Sequence, residues 1–144
     1  MHPVTLVCGP PCAGKTTWVD RQARAGDLVL DFDQIARGEL GSPFKWDHTP
    51  KVWREAERLI RERMRVLGEQ GPDRPSWVIR TIPDGHTRAV VARNIGATRR
   101  VLLLPPERVL FERAAGRPDP VETRAAIGRW LAEYTPDPGD EVLG

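Results

Sequence analysis

The sequence predicts a three-layer α/β domain in which helices flank a parallel β-sheet. Short, almost wholly apolar runs such as residues 3–8 are typical of strands that are buried on both faces of such a sheet. Strand-like and helix-like segments alternate along the chain, which favours parallel strands joined by helices. The chain has 144 residues, about the length of one domain. We therefore expect a single domain over residues 1–135 and, because Pro, Gly and Asp follow, a mobile tail over 136–144.

The individual elements follow from periodicity and from loop signals. The predicted strands cover residues 3–8, 27–32, 77–82 and 101–104. The predicted helices cover residues 15–24, 34–39, 50–70, 84–96, 106–115 and 121–134. The helix over 50–70 has the clearest pattern, because its apolar residues recur every three or four positions. Segments rich in Gly and Pro separate the elements, at 41–50, 71–75 and 116–120.

Composition excludes several classes of protein. Hydrophobic residues make up 40% and charged residues 29% of the chain, as in ordinary globular proteins. No apolar run approaches the roughly 18 residues of a membrane span, and the first residues lack the pattern of a secretory signal. Cys8 and Cys12 are expected to be free thiols, since two cysteines make no disulfide framework and no His or Cys cluster completes a zinc site. We expect a cytoplasmic protein with no membrane partner and no structural metal.

The positive charge is unevenly distributed. Of the 22 basic residues 19 are arginine, a ratio that genome composition explains. The net charge is +2, but residues 51–117 alone carry +7 and would attract a polyanion. Much of this charge lies on the helix segment 51–65, at Lys51, Arg54, Arg58, Arg61 and Arg65. Glutamates are interspersed among them, which is typical of a solvated, salt-bridged helix face; a functional face would instead follow a nucleic-acid backbone.

Residues 9–16 fit the phosphate-binding motif G-x-x-x-x-G-K-[ST]. Its glycines, Gly9 and Gly14, allow a turn out of the strand and a backbone whose N–H groups point at a phosphate. Lys15 is expected to reach the outer phosphates and the Thr16 hydroxyl to complete a Mg²⁺ shell, at the positive end of a helix. The predicted nucleotide-binding residues are Gly9, Pro10, Pro11, Cys12, Ala13, Gly14, Lys15, Thr16 and Thr17. The motif predicts the phosphates of a nucleotide and Mg²⁺ as ligands.

Asp31 and Asp33 stand at the carboxyl end of the second predicted strand, where ligands bind in open parallel sheets. Phosphoryl transfer to a hydroxyl needs a carboxylate that orients the hydroxyl and takes its proton, and Asp33 is the predicted base. Asp31 is predicted to hold Mg²⁺ or its waters, or to cap Lys15; alternatively, either aspartate caps the helix over 34–39. The chain has no guanine-binding N-K-x-D motif and no room for a remodelling domain, which favours a small kinase.

Several segments together resemble a known family. They are the loop form G-x-P-x-x-G-K-[ST] at residues 9–16, the aspartates within 30–33, the segment 112–118 and the helix end 129–134. In these the chain is similar to the kinase domain of phage-type polynucleotide 5′-kinases, part of a wider group with zeta-toxin and nucleotide kinases. The resemblance implies a P-loop NTPase-type sheet of four or five strands, ATP–Mg²⁺ as donor, and a lid whose arginines clamp the transferring phosphoryl group.

Carried over by position, the resemblance makes Lys15 and Thr16 the ligands of the phosphates and Mg²⁺, Asp33 the base, and Arg113 and Arg117 the lid arginines. Spaced by four at a helix end, both arginines can face one ligand, and guanidinium groups suit a dispersed negative charge. The alternative is that both are solvated helix-face arginines.

Two positions depart from the family pattern and leave the acceptor open. Ala36 stands where the family often has an acceptor-contacting Arg, with Arg37 next to it. Arg80 lies in the third strand, where the family tends to have an acidic residue, and Asp84 follows four positions later. Arg37 and Arg80 are therefore candidate acceptor contacts.

The sequence thus predicts an ATP-dependent kinase that acts on a hydroxyl of a nucleic acid, at a 5′-OH end or on a modified base. A nucleoside or nucleotide kinase acting on small molecules is the alternative, and a nucleotide-binding module without activity is a second one. The sequence assigns His48 and His86 no role, and the oligomeric state stays open. Further candidates for stacking a base are Trp46, Trp53 and Trp77, although core packing is the favoured interpretation of Trp53 and Trp77. Candidates for covering an adenine or flanking the cleft are Arg88, Arg93, Arg99 and Arg100.

Overall fold

A computed structural model describes residues 2–46 and 48–144 of the chain. Its strands are β1 (Val4–Cys8), β2 (Leu28–Leu30), β3 (Ser76–Arg80), β4 (Arg99–Leu103) and β5 (Glu141–Leu143). Its helices are α1 (Lys15–Gln22), α2 (Phe32–Gly38), α3 (Pro50–Gln70), α4 (Gly85–Ile95), α5 (Glu107–Ala114) and α6 (Pro120–Glu133). The strands form one sheet in the order β2-β3-β1-β4-β5, and every strand pair is parallel. The predicted fold class, a parallel sheet flanked by helices, is confirmed.

The central strand β1 is buried along its whole length because helices cover both faces of the sheet. Its side chains alternate between two cores, as the period of a strand requires. Val4, Leu6 and Cys8 pack in a core with residues of α2, α3 and α4. Val7 packs in the second core with residues of α1, α5 and α6. The apolar run that predicts this strand is continuous because the strand is buried on both faces.

Helix α3 begins and ends at the residues that the periodicity predicts. The side chain of Thr49 accepts a hydrogen bond from the N–H of Val52, and Pro50 occupies the first turn, where its missing N–H has no cost. The helix ends before Gly71, whose positive φ of 74° stops the helical path. None of the helices in the described parts of the chain is both long and apolar enough to cross a membrane.

The segment 136–144, predicted to be a mobile tail, is instead part of the sheet. Strand β5 pairs in parallel with β4. Asp140, just before β5, forms an ion pair of 2.8 Å with Arg88, and both side chains are at most 2% exposed. The Arg88 guanidinium also donates to the carbonyls of Pro83 and Thr135. Arg88 therefore fixes the C-terminal segment and does not cover a nucleotide, and removing either charge of such a buried pair costs about 3–5 kcal/mol.

Candidate active site

A cleft with a volume of about 1150 Å³ opens at the carboxyl edge of the sheet. Parallel α/β sheets bind ligands at this edge because the loops after neighbouring strands meet there. The walls of the cleft are the loop between β1 and α1, the start of α2, the end of β3 and residues 42–46, which follow α2. The cleft thus brings together residues that lie far apart in the sequence.

The loop after β1 has the backbone of a phosphate-binding loop. A Cβ at Gly9 would lie 2.5 Å from the carbonyl oxygen of Leu103, so only glycine fits at this position. Gly14 has φ of +84°, and Cys12 also has a positive φ of 67°. Left-handed residues within such a turn make successive N–H groups converge, which forms an anion-binding concavity. Helix α1 starts directly after this loop and adds its positive end.

Lys15 is held by the loop that precedes it. Its ammonium donates to the carbonyl oxygens of Gly9 at 2.9 Å and Pro10 at 2.8 Å. Burial lowers the pKa of Lys15 to about 8 from its ordinary value of 10.5, because removal of water disfavours the charged amine. A phosphate beside the ammonium would favour the charged form and raise this pKa again. The geometry is that of a lysine poised at a phosphate site.

Thr16 and Asp31 form a hydrogen-bonded pair of oxygen-bearing side chains beside Lys15. The Thr16 hydroxyl donates to Asp31 Oδ2 at 2.8 Å, and Asp31 is 4% exposed. Burial raises the pKa of Asp31, although the Thr16 hydrogen bond opposes the shift. Asp31 also caps α2, because its Oδ1 accepts from the N–H of Asp33. Hydroxyl and carboxylate oxygens are the donors that Mg²⁺ prefers, so these residues fit the predicted metal.

Asp33 presents a carboxylate to the cleft. It is the second residue of α2, three positions after the last residue of β2, and its side chain is 40% exposed. Its Oδ1 lies 2.7 Å from Nε2 of His48, whose ring is only 2% exposed. Sequence reasoning missed His48, because a lone histidine in a loop has no partner pattern until the fold places it beside Asp33.

The two predicted lid arginines lie near the cleft but make different contacts. Arg113, near the end of α5, donates from Nη1 to the carbonyl oxygen of Cys12 at 2.9 Å. Arg117, in the turn between α5 and α6, lines the cleft and places its guanidinium 3.5 Å from the ring centre of Trp46. One arginine thus contacts the phosphate-binding loop, and the other contacts the loop across the cleft.

Other predicted contacts separate into cleft residues and structural residues. Arg37, Arg80, Trp46 and Trp53 line the cleft. Arg80 is paired with Glu57 of α3, and one contact is 2.5 Å long. Trp77 instead donates its indole N–H to Asp27 and packs edge-on against Trp18. The remaining arginines of the predicted set lie outside the cleft lining: Arg88, Arg93, Arg99 and Arg100.

Three of the five basic residues that define the basic face of α3 are paired with carboxylates. Arg58 pairs with Glu55, Arg61 with Glu57, and Arg65 with both Glu62 and Glu69. These pairs span three or four residues on the helix surface and most of their side chains are exposed. The solvated, salt-bridged interpretation of this face is the one that the contacts support.

Comparison with known proteins places this chain in a family. The family model AAA_33, described as an AAA domain, matches residues 4–136, and the chain belongs to this family. With its phosphate-binding loop and parallel sheet, the chain has the fold of the P-loop nucleotide-binding proteins. Among curated proteins, no sequence matches the chain.

Three solved structures share the fold. An unliganded sugar kinase from Janibacter sp. HTCC2649 is 20% identical, with a TM-score of 0.58 over 99% of this chain and 85% of that one. A gluconokinase from Sinorhizobium meliloti 1021 is 17% identical, with a TM-score of 0.60 over 98% and 81%. The tunicamycin resistance protein of Deinococcus radiodurans is 15% identical, with a TM-score of 0.58 over 99% and 86%. At these identities the likeness concerns the fold.

Proposed function

We propose that this protein transfers the γ-phosphate of ATP to a hydroxyl group of a small molecule, with Asp33 as the general base. The observation that carries the proposal is the Asp33 carboxylate, 40% exposed in the same cleft as Lys15 and Thr16 of the phosphate-binding loop. A nucleotide-binding module has no need of a partly exposed carboxylate fixed opposite its phosphate site, whereas transfer to a hydroxyl does.

In the proposed reaction the loop N–H groups and Lys15 hold the phosphates of ATP. Asp33 accepts a hydrogen bond from the acceptor hydroxyl, whose oxygen forms the new bond to the γ-phosphorus. The bond between that phosphorus and the β,γ-bridging oxygen breaks, ADP leaves, and the hydroxyl proton passes to Asp33. Thr16 and Asp31 are the proposed ligands of Mg²⁺ and its waters, and bound Mg²⁺ would neutralise charge on the phosphates.

Arg113 and Arg117 are proposed to stabilise the charge that spreads over the transferring phosphoryl group. Arg113 already contacts the phosphate-binding loop through the carbonyl of Cys12. Arg117 lies in the cleft on Trp46, and its positive charge contributes, after burial, to the lowered pKa of Lys15 in the phosphate-binding loop. A planar guanidinium suits this role because it donates several hydrogen bonds to oxygens in one plane.

Two observations favour a small-molecule acceptor over a nucleic acid. Three arginines of α3 are paired with glutamates of the same helix, which reduces the uncompensated charge that this face offers to a nucleic-acid backbone. Two of the structures with this fold are described as a sugar kinase and a gluconokinase, which act on small molecules.

A hydroxyl of a nucleic acid, as in the phage-type polynucleotide 5′-kinases, is the second candidate acceptor. Trp46 favours it, because Lys45 lies 4.8 Å and Arg117 3.5 Å from the ring centre. An aromatic ring flanked by cations is a platform on which a base can stack beside its phosphate. This contact also suits any acceptor that carries both a flat ring and an anionic group.

The acceptor is tested with ATP labelled at the γ-phosphate. The panel contains sugars and sugar acids, nucleosides, mononucleotides, and DNA and RNA oligonucleotides with 5′-OH ends. We expect label on a member of the small-molecule arms. Label confined to oligonucleotides, with a rate that falls steeply as salt rises, would establish the second candidate instead. ATP binding without label on any acceptor would support the non-catalytic module and contradict the proposal.

A further inference from the structure

His48 links the exposed Asp33 to the protein interior. Its Nε2 lies 2.7 Å from Asp33 Oδ1, and its Nδ1 lies 2.7 Å from the hydroxyl of Ser42. The His48 ring is 2% exposed and Ser42 is 8% exposed, whereas Asp33 is 40% exposed. The three side chains thus form a chain of hydrogen bonds that runs from the protein interior to a carboxylate in the cleft.

The direction of these hydrogen bonds follows from what each partner is able to donate. An ionised carboxylate only accepts, so Nε2–H of His48 donates to Asp33. The Ser42 oxygen accepts from the N–H of Phe44 at 3.4 Å, and the proton of its hydroxyl is available to donate to Nδ1. The tautomer with hydrogen on Nε2 satisfies both contacts, since Nε2 then donates to Asp33 and Nδ1 accepts from Ser42.

We propose that His48 is a positioning residue that orients the Asp33 carboxylate toward the acceptor hydroxyl, and that Ser42 fixes the tautomer of its ring. This proposal rests on the proposed role of Asp33 as the base. An exposed aspartate rotates freely about its side-chain bonds. Displacement of a catalytic group by about 1 Å can lower the rate about 100-fold. The buried ring holds Oδ1 and leaves Oδ2 to accept from the substrate.

The surroundings of the ring favour positioning over a direct chemical role. The Phe32 ring centre lies 5.9 Å from that of His48, so the imidazole is packed as well as hydrogen-bonded. Ser, His and Asp also compose hydrolase triads, but here the serine at the cleft wall is only 8% exposed, whereas the aspartate side chain is 40% exposed. The group most accessible from the cleft is therefore the carboxylate and not the serine hydroxyl, as a kinase requires.

Two substitutions of His48 separate the contributions of its two ring nitrogens. In His48→Gln the amide nitrogen takes the place of Nε2 and can donate to Asp33, whereas in His48→Asn it takes the place of Nδ1 and reaches toward Ser42. We expect His48→Asn to lower kcat about 10- to 100-fold with an unchanged KM for ATP, and His48→Gln to recover most of the rate. Equal losses in both variants, or no loss in His48→Asn, would overturn the proposal.

A double-mutant cycle tests whether His48 acts through Asp33. On an Asp33→Asn background, His48→Asn is expected to cause little further loss of kcat, because the oriented group is already disabled. A second loss as large as the first would mean that His48 serves the fold or another group, and would overturn the proposal.

Imidazole ¹⁵N NMR tests the hydrogen bond between His48 and Asp33 in the absence of a substrate that accepts phosphate. The chain has three histidines, and the His48 signals are those missing from the His48→Gln variant. We expect the Nε2–H tautomer at neutral pH and a change of its Nε2 shift in Asp33→Ala. The Nδ1–H tautomer, or a shift that ignores Asp33, would overturn the positioning proposal. A wild type that shows this hydrogen bond but phosphorylates no acceptor would instead overturn the proposed function.

Discussion

The two halves of the cleft are built in different ways. The phosphate half, residues 9–17, depends on backbone conformation and local contacts, since Lys15 donates to carbonyls only five and six residues away. The acceptor half consists of the start of α2, the end of β3 and residues 42–46. Its side chains meet across long stretches of sequence, as Arg80 meets Glu57 and Arg117 meets Trp46. A short motif is therefore enough to specify the phosphate half, whereas the acceptor half depends on the complete fold.

The largest effect is expected from Lys15→Ala in the phosphate half. Loss of a desolvated ammonium that faces the phosphates should weaken ATP binding about 100-fold or more and abolish transfer. Isothermal titration calorimetry with ATP and Mg²⁺ measures the affinity. Lys45→Ala is the matched control, because Lys45 is an exposed lysine of the acceptor half. Equal losses of ATP affinity in the two variants would remove the distinction between the halves.

A smaller and different effect is expected from Arg117→Ala. If this arginine acts on the transferring phosphoryl group, kcat should fall about 100-fold while the KM for ATP stays near the wild-type value. Arg117→Lys keeps the charge but loses the planar group, and it should recover only part of the rate. Steady-state kinetics checks both, with Arg108→Ala as the control, an exposed arginine on α5. A raised KM for ATP with unchanged kcat would assign Arg117 to nucleotide binding.

The smallest effect is one of stability, expected from Asp31→Asn. Because burial raises the pKa of Asp31, its ionised form is less favourable in the folded than in the unfolded chain. This free-energy penalty is absent at a pH below the pKa of Asp31 in the unfolded chain, and it is complete at a pH above the pKa of Asp31 in the folded chain. Asp31→Asn should therefore raise the free energy of unfolding at pH 7 by about 1 kcal/mol or less, and the gain should vanish near pH 3.

Asp27→Asn is the control for the direction of this change in the free energy of unfolding. Hydrogen bonds from the Arg24 N–H and the Trp77 indole lower the pKa of Asp27, so its ionised form stabilises the fold. Asp27→Asn should lose stability at pH 7, in the direction opposite to Asp31→Asn. Urea unfolding at pH 7 and pH 3 measures both, and a loss of stability at pH 7 in Asp31→Asn would contradict the account of its burial.

The sequence predicts most of the fold because its elements carry strong local signals. The 50–70 helix matches α3, and the buried run at 3–8 contains β1, since periodicity and burial on both faces are properties of short segments. Strand β5 has no such signal: it is three residues long and mostly exposed. What fixes it is the pairing with β4 and the contact of Asp140 with Arg88, 52 residues away in the chain.

The residues of the candidate site likewise fall into those that a local sequence signal predicts and those that only the complete fold brings together. Lys15 and Thr16 follow from a motif in which spacing alone sets the geometry, and Asp33 follows from the rule that ligands bind at strand ends. The partners of Asp33 do not follow from any pattern. His48 and Ser42 reach it through a loop of irregular structure, and the sequence of such a loop does not specify which side chains turn inward.

The central claim is that Asp33 is the base in a transfer from ATP to a hydroxyl, and Asp33→Asn tests it most directly. The measurement is single-turnover transfer to the acceptor identified by labelling, together with the Kd for ATP, with Asp20→Asn as control because Asp20 lines the same cleft. The account predicts that Asp33→Asn lowers the transfer rate by about 10²- to 10⁴-fold while ATP binds as in the wild type, and that Asp20→Asn changes neither. Transfer by Asp33→Asn at the wild-type rate would contradict it.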